Sequence, residues 1–519
     1  MAKNEGHEKG KWATEKMLNE FNIIESYAVE SDNVVADVRI VETKKGFVSE
    51  YYLTLSDFGE GTTALMKGLK NTLIAETPIK SDALMDQKFV DILKDRFRRR
   101  ADNLISTELP NISPEIKNQL IGSVLHEMLG LGKIEMILAD GNLEEIVVNK
   151  SKEPVWVYHK KHGWLKTNVY IGTEEDIHNY GSIIARRVGK QITTLDPLLD
   201  AHLSTGDRVN ATLFPISNDG NTITIRRFRR DPWTVTDLIK SGTVNSEVMA
   251  LIWEAMEYEL NIIFSGGTAS GKTTSLGVCL PFIQANHRIL SIEDTRELRP
   301  PEFLHYLPLT TREPNPEGKG GVSMLDLLVN SLRMRPDRII VGETRRKKEA
   351  EVMFEAMHTG HSVYSTIHAN TSDETIRRLT NPPINIPVSV LDAVHLNVVM
   401  FRNRRLGVRR MLHISEFVME KHGTGEEEIK ANILYRWRGS DDTITKHNES
   451  IRLYDELMLH TGMTKNEVLD ELKNKQRVLD WIVKLNIHDV NSVGRVIAKY
   501  YKDPDFVLKA VNSGKKLED

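Results

Sequence analysis

Gly266-Gly267-Thr268-Ala269-Ser270-Gly271-Lys272-Thr273-Thr274 is the stretch on which the rest of the chain turns. It follows the apolar run Asn261-Ile-Ile-Phe264 and leads into Ser275-Leu-Gly-Val-Cys-Leu280, a segment able to open a helix. The pattern G-x-x-x-x-G-K-[ST] between a strand and a helix is that of a phosphate-binding loop. Glycines at 266, 267 and 271 let the backbone wrap close to phosphate oxygens, where a Cβ would intrude. Backbone N–H groups and the positive end of the following helix then face negative charge. Lys272 is placed to reach the β- and γ-phosphates, and Thr273 to hold Mg²⁺ through its hydroxyl. The loop implies a nucleoside triphosphate as ligand.

At 519 residues the chain exceeds what one hydrophobic core usually covers, so two or three domains are expected. The N-terminus, Met1-Ala-Lys-Asn-Glu-Gly-His-Glu-Lys-Gly-Lys11, is polar, and no apolar stretch approaches the length that spans a bilayer. A cytoplasmic protein is therefore expected. One cysteine, Cys279, excludes an internal disulfide and a cysteine-rich zinc site. A formal net charge of −4 gives no global attraction to nucleic acid or anionic membrane, so any such binding would be local.

Residues 1 to about 15 read as a flexible tail, by composition. Asn33–Val41 and Phe47–Leu55 alternate around a glycine-containing turn at 42–46, which suggests a hairpin. A basic helix is expected over about 83–106. Another opens at Ser113-Pro114-Glu115, with Ile116, Leu120, Val124, Leu125 and Met128 at helical spacing. From Asn142 to Phe228 the texture is α+β, including a second hairpin over Arg208–Phe214 and Thr222–Phe228. After about 236 helix and strand alternate, which argues a mostly parallel sheet, with strands at 261–264, 288–292, 338–341, 362–366 and 394–401. The expected divisions are an accessory domain with its tail (1–110), an α+β domain (111–230), a linker (231–240), an ATPase core (241–415) and a mixed, helical C-terminal module (416–519).

Three motifs in the second half lie at strand ends, where open α/β sheets place ligands. Ile292-Glu293-Asp294-Thr295-Arg296-Glu297 sets adjacent acids where they could position a water or complete a Mg²⁺ shell. Arg338-Ile-Ile-Val-Gly-Glu343 is an apolar strand ending in a carboxylate, the form of the acidic strand that accompanies a phosphate loop. Thr359-Gly-His-Ser-Val-Tyr-Ser-Thr-Ile-His-Ala-Asn370 brackets a strand with His361 and His368, so at least one imidazole could reach the γ-phosphate region.

This ordered set resembles the secretion ATPases of the type II and type IV pilus superfamily, which carry a phosphate loop, an aspartate box, a Walker B strand and a histidine box. It looks most like the archaeal branch, which includes the archaellum motor and pilus or secretion ATPases. Gly130–Glu135, Asn142–Ile146, Trp156–Tyr158 and Gly206–Asn210 strengthen the likeness. The resemblance implies a RecA-like α/β ATPase domain preceded by an α+β domain that closes over the nucleotide, and a mixed N-terminal domain. It implies a hexameric, Mg²⁺-dependent ATPase at the cytoplasmic face of the membrane. Such a motor drives assembly, secretion or rotation of a pilin-like filament through a polytopic platform protein, with regulatory or ring-associated proteins as further partners. By motif matching, Glu293 orients the attacking water and Glu343 acts through Mg²⁺ or its water shell, with an exchange of these two roles left open. His368 senses the γ-phosphate, and Arg208 and Arg226, with Arg227 as contender, stabilise the transferred phosphoryl group. Thr295 stands where many members have proline, and the tetracysteine motif of bacterial relatives is absent.

Basic clusters at 96–100, 226–230, 345–348 and 402–410 lack the interleaved aromatics of a single-strand-binding groove, so nucleic acid is not the expected partner. The alternatives are a RecA-like nucleic-acid translocase and a nucleotide-dependent assembly scaffold.

Overall fold

The computed structural model describes residues 22–42, 47–55, 60–76, 87–203, 206–227, 232–314, 318–421 and 427–517. The expected N-terminal tail, most of the turn at 42–46 and the start of the linker lie outside these residues. The chain divides into two compact units, residues 1–230 and 231–519.

The first unit is built on β1 (Asn22–Ser31), β2 (Val34–Glu42), β3 (Glu50–Leu55), β4 (Leu143–Val148), β5 (Pro154–His159), β6 (Gly163–Tyr170), β7 (Leu198–His202), β8 (Arg208–Thr212) and β9 (Thr222–Arg226). They form one nine-stranded sheet in the order β1-β2-β3-β6-β5-β4-β9-β8-β7. The first hairpin is present, β2 pairing with β3. Its strands share a buried core with β4–β9, so the sheet runs across the division expected at residue 110. β1 was not expected. It reverses into β2 through Asp32 and Asn33, which take φ of 50° and 66°, values that Asp and Asn tolerate better than most residues. The helices Glu60–Glu76, Gln87–Glu108 and Pro114–Leu129 share a separate apolar cluster. The last of these opens as expected: Ser113 accepts the amide of Ile116, with proline in the first turn.

The second unit contains β10 (Ile262–Gly266), β11 (Ile289–Glu293), β12 (Tyr306–Thr310), β13 (Arg338–Val341), β14 (Ser362–Ile367), β15 (Leu396–Asn403), β16 (Val408–Lys421), β17 (Glu427–Arg438) and β18 (Thr443–Lys446). Their order is β12-β11-β13-β14-β10-β15-β16-β17-β18. β12 to β15 are parallel, and β10, β11, β13 and β14 are buried on both faces, which explains their continuous apolar runs. The strand expected at 394–401 is found at Leu396–Asn403.

Residues beyond 416 do not form a module apart from the sheet. β16, β17 and β18 extend the same sheet in antiparallel fashion. The helices Leu453–Thr461, Lys465–Lys484, Val490–Lys502 and Pro504–Ser513 follow. Within the expected linker, a helix Val235–Lys240 is already formed, with a Thr234–Asp237 capping box. Buried Lys475 joins Glu254 and Glu257, so the C-terminal helices are tied by ion pairs to the helix Ser246–Glu257.

Candidate active site

β10 delivers the loop at the point where the strand order reverses between β14 and β15, the usual ligand crevice of an open α/β sheet. Gly266 has φ of 150°, and a Cβ there would lie 2.5 Å from the Met400 carbonyl oxygen. Gly271, at φ 99°, turns the chain into the helix Lys272–Cys279. Ala269 also lies in the left-handed region (φ 58°), and its carbonyl accepts from Arg409 Nε at 3.0 Å. Ser270 Oγ donates to the Gly267 carbonyl at 2.8 Å, and Lys272 Nζ reaches the same oxygen at 3.1 Å. Lys272 is 7% exposed. Burial draws its pKa down, against the opposing charges of Glu343 and Glu297. Thr273 follows it in the first turn, half-buried, and Thr268 and Thr274 complete the loop.

The acidic strand ends differ sharply. Glu293, 3% exposed, closes β11. Its Oε2 accepts the amides of Glu297 (2.7 Å) and Leu298 (3.0 Å), and its Oε1 accepts from Ser291 Oγ (3.0 Å) and, more weakly, Tyr306 OH (3.4 Å). Burial raises its pKa, and those donors oppose the rise. Both oxygens are thus engaged, Oε2 in holding the segment that follows and Oε1 by hydroxyls of Ser291 and Tyr306. Glu343, beyond β13, has a side chain 18% exposed, 2.8 Å from Arg345 and 3.4 Å from His368 Nε2. Burial opposes its charge, but Arg345, His368 and Lys272 together hold the carboxyl below its ordinary range. The expected water-orienting role therefore sits poorly on Glu293, whose lone pairs are directed at its own chain.

His368, at the end of β14, stands 3.3 Å from Lys272 Nζ through Nδ1. Burial, then Lys272, lowers its pKa. His361 begins the same strand and bonds back to Ala356 and Thr359, at the opposite end of the sheet. The structure thus brings Lys272, Glu343 and His368 together and leaves His361 out.

Sequence reasoning missed three side chains here. Arg345 spans Glu343 and Asp294 (3.1 Å), joining two strand ends, although it had been read only as part of a basic cluster. Glu297 is exposed, and its charge acts on Lys272. Arg409 braces the tip of the phosphate loop. Glu297 ends the quoted acidic motif, so spacing alone could have raised it; no local signal marks Arg345 or Arg409.

The three candidate arginines lie in the first unit. Arg208 and Arg226 are exposed and directly opposite one another in the β8–β9 register. Arg208 also pairs with Asp200 at 2.6 Å. Arg227 is a different case. Its guanidinium donates to the Asp140 carbonyl and its amide to Glu144 O at 2.8 Å. Asp140 is itself 1% exposed and held by Tyr27 and Tyr51 hydroxyls at 2.6 and 2.9 Å. Arg227 is an anchor of its own unit.

A phosphate loop on the central strand of a mixed, mainly parallel sheet, with carboxylates and a histidine on neighbouring strand ends, defines a RecA-like P-loop ATPase fold. Residues 197–458 match the family described as Type II/IV secretion system protein. The chain is 35% identical over 415 residues to an uncharacterized protein of Methanocaldococcus jannaschii, covering 78% of this chain and 73% of that one. It is 28% identical over 321 residues to the type IV secretion system protein PtlH of Bordetella pertussis, covering 58% and 92%. Similar solved structures include the VirB11 ATPase of Brucella suis (23% identity, TM-score 0.28, 55% of this chain and 92% of that one). The pilus retraction motor PilT with bound ADP is another (18% identity, TM-score 0.39, 66% and 92%). The chain belongs to the type II/IV secretion system family. Among the described residues, no helix is long and apolar enough to cross a membrane.

Proposed function

We propose that the chain hydrolyses ATP with Mg²⁺ and works as a hexameric motor at the cytoplasmic face of the membrane. It would act on a polytopic platform protein, with ring-associated partners, to move or assemble a pilin-like filament. The observation that carries this reading is the meeting of Lys272, Glu343 and His368 at the ends of β10, β13 and β14. Backbone amides of 267–274 and Lys272 hold the β- and γ-phosphates. Thr273 and Glu343 supply hard oxygen donors for Mg²⁺, which keeps several waters and needs few protein ligands. The ion would offset charge on the phosphates, and Glu343, held ionised, suits that task directly or through a water.

With both Glu293 oxygens engaged, Glu297 is the carboxylate of the acidic segment left to orient the attacking water, and Glu293 positions it. His368, beside Lys272 and Glu343, reports the γ-phosphate. Arg208 and Arg226 would stabilise the charge that develops on the transferred phosphoryl group. Like charges directly across a ladder are unfavourable, Asp200 offsets that at Arg208, and a phosphoryl anion would add to the offset at Arg226.

The test is the ATPase rate per subunit against protein concentration, with Mg²⁺ and with EDTA, alongside sizing of the protein. A specific rate that climbs and saturates as a ring assembles supports composite sites. A fully active monomer sinks the ring motor, and turnover stimulated by single-stranded DNA would instead favour a translocase.

A further inference from the structure

Leu298-Arg299-Pro300-Pro301-Glu302-Phe303-Leu304 links the acidic segment to β12, and it is held from the far end of the chain. The Glu302 amide donates to Asn491 Oδ1 at 2.9 Å. Gly494 lies on the same face of the helix Val490–Lys502, three residues on. A Cβ at Gly494 would sit 2.6 Å from Pro301 Cγ and 3.1 Å from Phe303 Cζ. No larger residue fits there unless the 301–303 segment moves. Leu298 and Leu304 are buried in the apolar cluster that also contains Val493, Val496 and Ile497 of this helix.

At its other end the segment starts from Glu297 and Leu298, whose amides are fixed by Glu293 Oε2. Between these two anchorages stand Pro300 and Pro301, whose rings hold φ near −65°. Fewer backbone angles are then left to absorb a displacement between the two ends. The helix lies beyond the residues that match the family, which end at 458.

We propose that Asn491 and Gly494 are positioning residues for Glu297. The C-terminal helix sets where that carboxylate stands relative to Lys272, and so sets the rate of hydrolysis without touching nucleotide. This rests on the reading of Glu297 given above. It also makes the C-terminal helices a place from which a bound partner could change turnover.

The test uses the full chain carrying Asn491→Ala, Asn491→Asp or Gly494→Ala, with Arg495→Ala as an exposed control on the same helix. ATP hydrolysis, binding of a non-hydrolysable ATP analogue and thermal melting are measured together. Asn491→Ala and Gly494→Ala should lower kcat about tenfold while analogue affinity stays within about twofold, because small misplacements of a reacting group cost rate far more than binding. Asn491→Asp keeps an acceptor for the Glu302 amide and should restore the rate. Unchanged kcat in both variants overturns the proposal. So does a fall in kcat matched by lost affinity and lower melting temperature with no rescue by aspartate, which is packing alone. A wild-type chain that binds nucleotide without hydrolysing it overturns the functional reading and this proposal together.

Discussion

Each unit of this chain rests on nine strands, yet the two sheets present their charged residues in different ways. In the second unit the parallel strands β10, β11, β13 and β14 all end at one edge. Residues far apart in sequence therefore meet: Lys272 and His368 are 96 positions apart and in contact. Each returning segment brings a different group, so acid, base and cation gather in one partly desolvated place where their charges act strongly. In the first unit strands mostly reverse at once, and a side chain faces whatever the neighbouring strand sets across from it. There Arg208 meets Arg226 on an exposed surface. One sheet builds a site of unlike charges that partly satisfy each other. The other displays two arginines side by side on an exposed face, one of them paired with Asp200.

That contrast can be broken most directly at Lys272. Lys272→Ala should cut ATP turnover by about a thousandfold or more, measured as kcat/KM, because it removes the cation that faces the phosphates. Arg226→Ala tests the other sheet. A loss of up to about a thousandfold in kcat, with melting unchanged, is expected if the displayed arginine meets the transferred phosphoryl group. A loss under twofold would mean that the pair is only solvated surface.

The two acids of one segment sharpen the comparison within the second unit. Glu297→Gln should lower kcat about a hundredfold with little effect on melting. Glu293→Gln turns one accepting oxygen into a donor that faces amide and hydroxyl donors, so it should lower the melting temperature clearly as well as the rate. The reverse pattern would return the water-orienting role to Glu293.

The last expected effect is on pH dependence. Burial, helped by Arg436 and His447, holds the pKa of His413 down to about 4. Neutral Nε2 accepts from the Ser372 amide at 3.2 Å, a role that protonation removes. An unfolded histidine titrates near 6.5, so this stabilisation is complete above that value and is lost as pH falls toward 4. It is worth about 3 kcal/mol across the window. His395, driven to about 3 mainly by burial, adds to the same slope. Thermal melting of wild type and His413→Gln from pH 7 to 4 should show a shallower decline in the variant.

Much of the second unit was legible because its demands are local. A strand, a glycine-rich turn and a Lys-Thr helix start specify a phosphate loop whatever surrounds them. Apolar strands ending in Glu293 or Glu343 announce the parallel sheet in the same way. Legibility failed where one face of a strand is wet. β1 exposes most of its side chains, and β17 buries only Ile429, Leu434 and Tyr435, so their composition reads as polar chain. The stretch beyond 416 therefore reads as a separate mixed, helical module, although it completes the sheet.

The sequence by itself therefore determined that this protein grips a triphosphate and that acids and a histidine stand at neighbouring strand ends, since backbone conformation and strand burial follow from nearby residues. Only the tertiary structure decided what each charged group is available to do. Glu293 is occupied by amides four and five residues ahead, Glu343 is kept ionised by Arg345 and His368, and Arg227 is bound to the Asp140 carbonyl. Availability depends on donors and acceptors supplied by other segments, and hydrogen bonds act only over about 3 Å, a proximity that no single stretch of sequence contains.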